Sequence, residues 1–154
     1  MKKLRIGLCG TGNVGFAFAE TIINSKSLIN QNYGLDLSIS LIGARKGKVP
    51  GLENIKVIKD IQEVPLSDEV DVVVELIGGV EESFKLAKAA LNNKKHFVTA
   101  NKALIAAHSK ELFEIAKQNQ VHLGFEASVA GGIPIIRVIR DGLMSNQINS
   151  FAGI

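Results

Sequence analysis

The chain has 154 residues, 46% hydrophobic and 21% charged, with a formal net charge of +3; that is one domain by size, and the composition excludes a disordered or low-complexity protein. Apart from Lys2-Lys3, Arg45-Lys46-Gly47-Lys48 and Lys94-Lys95 its basic residues are scattered, and with one Tyr and no Trp no basic run carries interleaved aromatics, which argues against a nucleic-acid partner. No apolar stretch is long enough to span a membrane, no signal-peptide pattern opens the chain, and the single cysteine, Cys9, can form no intrachain disulfide, so a cytoplasmic setting without membrane contact is expected.

The first element is the apolar run Ile6-Gly7-Leu8-Cys9, a buried strand in which Cys9 serves as core filler. Gly10-Thr11-Gly12-Asn13-Val14-Gly15 follows, and apolar periodicity then predicts a helix from about Asn13 to Ser25. A Gly-x-Gly-x-x-Gly turn between strand and helix points to dinucleotide binding; a tight loop with no ligand is the plain alternative. In such a turn Gly10 allows the sharp exit from the strand, Gly12 leaves room for a pyrophosphate, and Gly15 permits close packing of the helix. The helix N-terminus offers unpaired N–H groups and a positive dipole end to the phosphates.

Asn30 to Gly34 is polar and reads as a loop, Leu35 to Ile42 as a second strand, Gly43 to Glu53 as a basic connection and Lys56-Val57-Ile58 as a short third strand. Val70 to Ile77 is the strongest buried-strand pattern, closed by Gly78-Gly79. A helix from Glu81 to Asn92, a strand at His96 to Thr99, a helix containing Ser109 to Gln118 and a strand at Val121 to Phe125 come next. Gly131-Gly132 precedes a helix opened by Ile133-Pro134, and Gln147 to Ile154 reads as one more strand. Strands alternating with helices predict an α/β fold: a Rossmann-type, doubly wound, mostly parallel sheet with helices on both faces, filling 1–154 as one domain. The chain stops in an apolar run without a closing turn, which is expected of a fragment ending where a further domain would begin.

Several residues fall at the carboxyl edge of this sheet, where ligands sit in open α/β folds. NAD-binding folds place an acid at the end of the second strand, about 20 residues past the glycines; Asp36 has the separation but precedes the strand. The strand exits instead into Arg45-Lys46, and a guanidinium with an ammonium suits a 2′-phosphate, so NADP(H) is expected ahead of NAD(H). The alternative is a solvated basic loop. Gly78 and Gly79 either let a cofactor approach the backbone or form a plain turn. Glu75, inside the apolar run, is a paired buried acid or a residue near the strand's end. Thr99-Ala100-Asn101-Lys102 brings a lysine to the same edge, able to hold a carbonyl, hydroxyl or carboxylate, though most lysines are surface residues. The glycine-bearing turn from Glu126 to Pro134 could converge backbone carbonyls on a hard cation, or simply cap a helix. His96, His108 and His122 have no metal-ligand spacing.

Taken in order, Gly10 to Gly15, Val74-Glu75-Leu76-Ile77-Gly78-Gly79, Val98-Thr99-Ala100-Asn101-Lys102-Ala103-Leu104 and Glu126 to Ile136 resemble the amino-terminal, nucleotide-binding half of the homoserine dehydrogenases. That resemblance covers the whole chain, and its last two segments are the more specific. It implies an oxidoreductase of threonine and methionine biosynthesis that reduces aspartate semialdehyde to homoserine with NAD(P)H. It further implies that Thr11 to Val14 contact the pyrophosphate and that Arg45 lies near the adenosine ribose. Thr99 and Lys102 would lie near the nicotinamide, Lys102 also reaching the substrate, and the carbonyls of Glu126, Val129, Gly131 and Ile133 would form a sodium site. The family's substrate domain, with its second lysine and its acids, has no counterpart here, so the chain alone is expected to bind NADP(H) without turnover. A homodimer is expected of the full-length enzyme. Other readings are a different dehydrogenase of this build, such as one acting on aspartate, and a stand-alone nucleotide-sensing module.

Overall fold

A computed structural model describes residues 2–47 and 49–152. Six strands form one sheet in the order β3-β2-β1-β4-β5-β6: β1 Lys2–Cys9, β2 Leu35–Gly43, β3 Lys56–Ile58, β4 Val72–Glu75, β5 His96–Thr99 and β6 Leu123–Gly124. Every pairing is parallel. The chain winds outward from β1 through β2 to β3, then crosses to β4 on the other side of β1 and winds outward again. That reversal opens a crevice between the carboxyl ends of β1 and β4, the topological switch point of a doubly wound Rossmann-type fold.

The buried strands alternate their side chains between two cores, as a period of two requires. Val73 joins Leu86, Leu91, Phe97, Leu104 and Leu112 on one face; Val72 and Val74 join Ile6, Leu8, Ala19, Ile22 and Ile42 on the other. Helix α1 (Asn13–Asn24) covers the second face, while α3 (Glu81–Asn92) and α4 (Lys102–Gln118) cover the first. Helices therefore lie on both faces, as expected. Cys9 is buried and free; burial pushes its thiol well above the usual range, consistent with core filler and not a nucleophile. At the amino end of the sheet Arg5 grips Asp71 through Nε (3.0 Å) and Nη2 (2.8 Å). That guanidinium holds the Asp71 carboxyl below its ordinary value. Among the described residues no helix is long and apolar enough to cross a membrane.

Three local expectations are corrected. Residues 30–33 are not loop but belong to a second helix, α2 (Lys26–Tyr33), closed by Gly34 at φ 65; it buries no residue, so its polar sequence carried no helical stripe to read. Helix α4 contains Ser109 to Gln118 as expected and starts at Lys102, because Asn101 accepts a hydrogen bond from Leu104 N at 3.1 Å and caps it. The helix expected after Pro134 is one short turn, α5 (Ile135–Arg137), followed by a wider π-type turn over Val138–Gly142. The strand expected over Gln147 to Ile154 does not form within residues 147–152, where Phe151 is 69% exposed; Gly153 and Ile154 lie outside the described residues. The neighbouring edge strand β6 has only two residues and offers little ladder to join.

Candidate functional site

The glycine-rich turn forms one wall of the crevice. Gly10 turns out of β1 at φ 98, where a Cβ would lie 2.6 Å from the Leu76 carbonyl oxygen. Its N–H donates to the Gly43 carbonyl at 3.1 Å, while Leu76 N donates to the Cys9 carbonyl at 2.8 Å. The exits of β2, β1 and β4 are thereby tied side by side. A Cβ on Gly15 would collide with the Gly10 carbonyl oxygen, so only glycine lets the first turn of α1 sit on the turn before it. Gly12 is the contrast. A Cβ there meets nothing within 4 Å, and Gly12 is the N-cap of α1 with no side chain bonded to the first-turn N–H groups. Asn13 and Val14 follow it in the open, Val14 being 63% exposed despite its apolar side chain, and Thr11 is half-buried beside them. An uncapped helix end beside empty space fits a pyrophosphate.

The other wall is built from the loops after β4 and β5. Gly78 and Gly79 take φ 76 and 78 with nothing near either Cβ position, a conformation in which other residues would be strained. Lys102 is the first residue of α4 and stands exposed on the same side. Between the walls lies a cleft of about 350 Å³ lined by Val14, Leu76, Gly78, Ala100, Asn101 and Lys102. Thr99 is not brought to the cleft by its side chain: it is 1% exposed and its hydroxyl donates to Glu75 Oε2.

Glu75 and Asn101 are the residues the sequence reading left without a role. Glu75 ends β4 fully buried, and its Oε1 accepts from Ile77 N at 2.9 Å and Gly78 N at 3.2 Å. Thr99 Oγ1 in turn accepts from Asn101 N at 2.9 Å. The Asn101 amide donates to the Gly79 carbonyl and, at 3.1 Å, to Ser83 Oγ. Ser128 Oγ donates to the Thr99 carbonyl at 2.9 Å, attaching the loop after β6. An Asn just ahead of a helical pattern is a legible N-cap signal; the bonds that tie Glu75 to Thr99, Asn101 to Gly79 and Ser83, and Ser128 to Thr99 join residues far apart in sequence and leave no local trace.

Arg45 and Lys46 are exposed in the turn that follows Ala44, just beyond the Gly43 carbonyl bonded to Gly10. They therefore stand beside the glycine turn, at the β2 side of the crevice. Asp36 lies at the opposite end of β2, paired with Lys26 at 3.0 Å, which rules it out as a ribose ligand. In the loop after β6, Ala130 (φ 52) and Gly131 (φ 60) bend the backbone sharply. Of the four carbonyls expected to meet a cation, that of Glu126 accepts from Val129 N at 3.1 Å and that of Ile133 from Ile135 N at 2.8 Å; each keeps a second lone pair. The Glu126 carboxylate caps α5 by accepting from Ile136 N and Arg137 N at 3.0 and 2.8 Å. Among the described residues no three His, Cys, Asp or Glu side chains are grouped to hold a metal.

Comparison with known proteins bears on this arrangement. Residues 10–126 match the family model described as homoserine dehydrogenase, NAD binding domain. A homoserine dehydrogenase of Pseudomonas aeruginosa is 42% identical over the whole chain, which spans 36% of that relative. Among solved structures, a homoserine dehydrogenase from Thiobacillus denitrificans superposes with a TM-score of 0.84 at 36% identity, over 94% of this chain and 34% of that one. A hyperthermophilic archaeal homoserine dehydrogenase solved in complex with NADPH gives a TM-score of 0.78 at 29% identity, over 93% of this chain and 50% of that one. The chain thus spans about a third of the length of the curated relatives it matches.

Proposed function

This chain belongs to the homoserine dehydrogenases, as their NAD-binding domain, and from that footing we propose that it holds NADP(H) in the crevice between β1 and β4 for the reduction of aspartate semialdehyde to homoserine. The observation that carries the reading is the pairing of two walls: the uncapped N-terminus of α1 at Gly12 faces open space, and Lys102 stands across the same cleft. Gly10 to Gly15 and the first turn of α1 take the pyrophosphate, with Thr11, Asn13 and Val14 closing over it. Gly78 and Gly79 let the far half of the cofactor lie against backbone. Bound there, the nicotinamide supplies a hydride for the substrate's aldehyde carbon. Lys102 is placed to orient the substrate, its ammonium donating to a carbonyl or carboxylate oxygen, which makes it the catalytic residue we assign within this chain. Thr99 acts beneath the nicotinamide site, through Glu75 and Asn101, without touching the cofactor. A cytoplasmic setting and a homodimer of the complete enzyme belong to the same proposal.

The charge at the β2 exit favours NADP(H) over NAD(H). Arg45 can grip a 2′-phosphate with two N–H groups and Lys46 adds a second charge, whereas the one nearby acid candidate, Asp36, is at the wrong end of its strand. Calorimetric titration of the chain is expected to show tighter binding of NADP(H) than of NAD(H). Arg45→Ala should weaken NADP(H) by roughly tenfold, the size of a lost charge-assisted contact of about 1.4 kcal/mol, and leave NAD(H) unchanged. An Arg45→Ala chain with native NADP(H) affinity refutes the assignment. Alongside, a homoserine oxidation assay of the same chain should register no turnover.

The carbonyls of Glu126, Val129, Gly131 and Ile133 are our proposed seat for a sodium ion. The sharp bend at Ala130 and Gly131 supports it, although two of the four carbonyls also serve turn hydrogen bonds. A monovalent ion held there should raise the thermal midpoint in sodium chloride above that in tetramethylammonium chloride by about 2 °C, the shift that a fraction of a kcal/mol gives a domain of this size. Identical midpoints count against the site.

A further inference from the structure

We propose that Glu75 is a positioning residue that sets the nicotinamide side of the cleft; the proposal rests on the cofactor reading above. Burying a carboxyl at the end of an all-valine strand costs stability unless its oxygens are bonded, and a valine there would extend the apolar pattern of β4. What the acid provides is a closed ring of hydrogen bonds. Ile77 N and Gly78 N converge on Oε1, and Thr99 Oγ1 donates to Oε2. Asn101 N donates to Thr99 Oγ1, and the Asn101 side chain returns to the Gly79 carbonyl. Ser83 Oγ adds a bond to the Gly78 carbonyl at 3.4 Å.

The ring does what packing cannot do at this place. Gly78 and Gly79 have no neighbours where side chains would be, and glycines with positive φ are otherwise free to move. Glu75 and Asn101 hold both, and the same Asn101 caps α4 at Leu104 and so fixes where Lys102 begins the helix. The gap between the Gly78-Gly79 turn and Lys102 is therefore set by one buried carboxyl at the back of the cleft. None of the ring's bonds reaches Gly10 to Gly15 or Arg45, so its loss should be felt at one end of the dinucleotide only.

The test is calorimetric titration of the native chain and of Glu75→Ala with NADPH and with adenosine 2′,5′-bisphosphate, which carries only the adenosine half. The expected result is a rise in NADPH Kd of about tenfold, the consequence of freeing bonds of ordinary strength, with the bisphosphate Kd unchanged. A folded Glu75→Ala that loses both ligands alike, or neither, overturns the proposal, since a purely structural role would not discriminate between the two ends. If circular dichroism shows Glu75→Ala unfolded, Thr99→Val is judged by the same criterion, because it removes one link of the ring at nearly constant shape. A native chain that binds neither ligand overturns the cofactor reading itself and this proposal with it.

Discussion

Gly15→Ala is expected to lower stability by about 2–3 kcal/mol and to reduce dinucleotide affinity by about a hundredfold or more. The new methyl would sit against the Gly10 carbonyl oxygen, far inside the roughly 3.5 Å of an ordinary contact. Neither partner can yield cheaply. Gly10 is pinned by its bond to the Gly43 carbonyl and has the Leu76 carbonyl at its back, and α1 is anchored by Ala19 and Ile22 in the core. The first turn of the helix must lift off, taking with it the N–H groups proposed to hold the pyrophosphate. Urea denaturation and titration with NADPH measure the two losses; a variant with native values in both would show that α1 is not seated as described.

Gly12→Ala should separate what Gly15→Ala confounds. Its methyl points into space with no protein atom within 4 Å, so stability should change by less than about 1 kcal/mol, the difference between glycine and alanine at an N-cap. The same space is where a pyrophosphate must approach the α1 N-terminus. Affinity for NADPH is therefore expected to fall by about a hundredfold, some 2.7 kcal/mol, in a protein that melts like the native one. Undiminished binding would mean that the phosphates lie elsewhere and that the open face of Gly12 is incidental.

Most of the sheet could be read in advance, because β1, β4 and β5 carry long-lived local signals: apolar runs ended by glycine or followed by a helical stripe. The two walls of the cleft were legible for the same reason, since Gly10 to Gly15 and Lys102 sit directly beyond such runs. Helix α2 was not, as it buries nothing and its stability comes from its place beside β2 and the Gly34 cap. The start of α4 is decided by the Asn101 cap on Leu104. Glu75 was legible as a paired buried acid or a strand-end residue, and it is both, but its partners were not legible. A lone acid in an apolar run says only that a partner must exist; that partner, Thr99, belongs to the next strand, and register alone brings Glu75 and Thr99 side by side. The terminal run looked like a strand by composition, but a strand needs a neighbour with free backbone groups, and two-residue β6 scarcely provides one.

The missing cap on α1 has a consequence for the life of the chain as well as for its ligand. On the proposed reading, a helix whose exposed first N–H groups find no side chain of their own would exchange water for phosphate oxygens, and the dinucleotide would act as a structural member of the domain while bound. By mass action, ligand present at about a hundred times its Kd would add about 2.7 kcal/mol to the folded state. Resistance to proteolysis would then rise and fall with the concentration of dinucleotide in the surrounding solution.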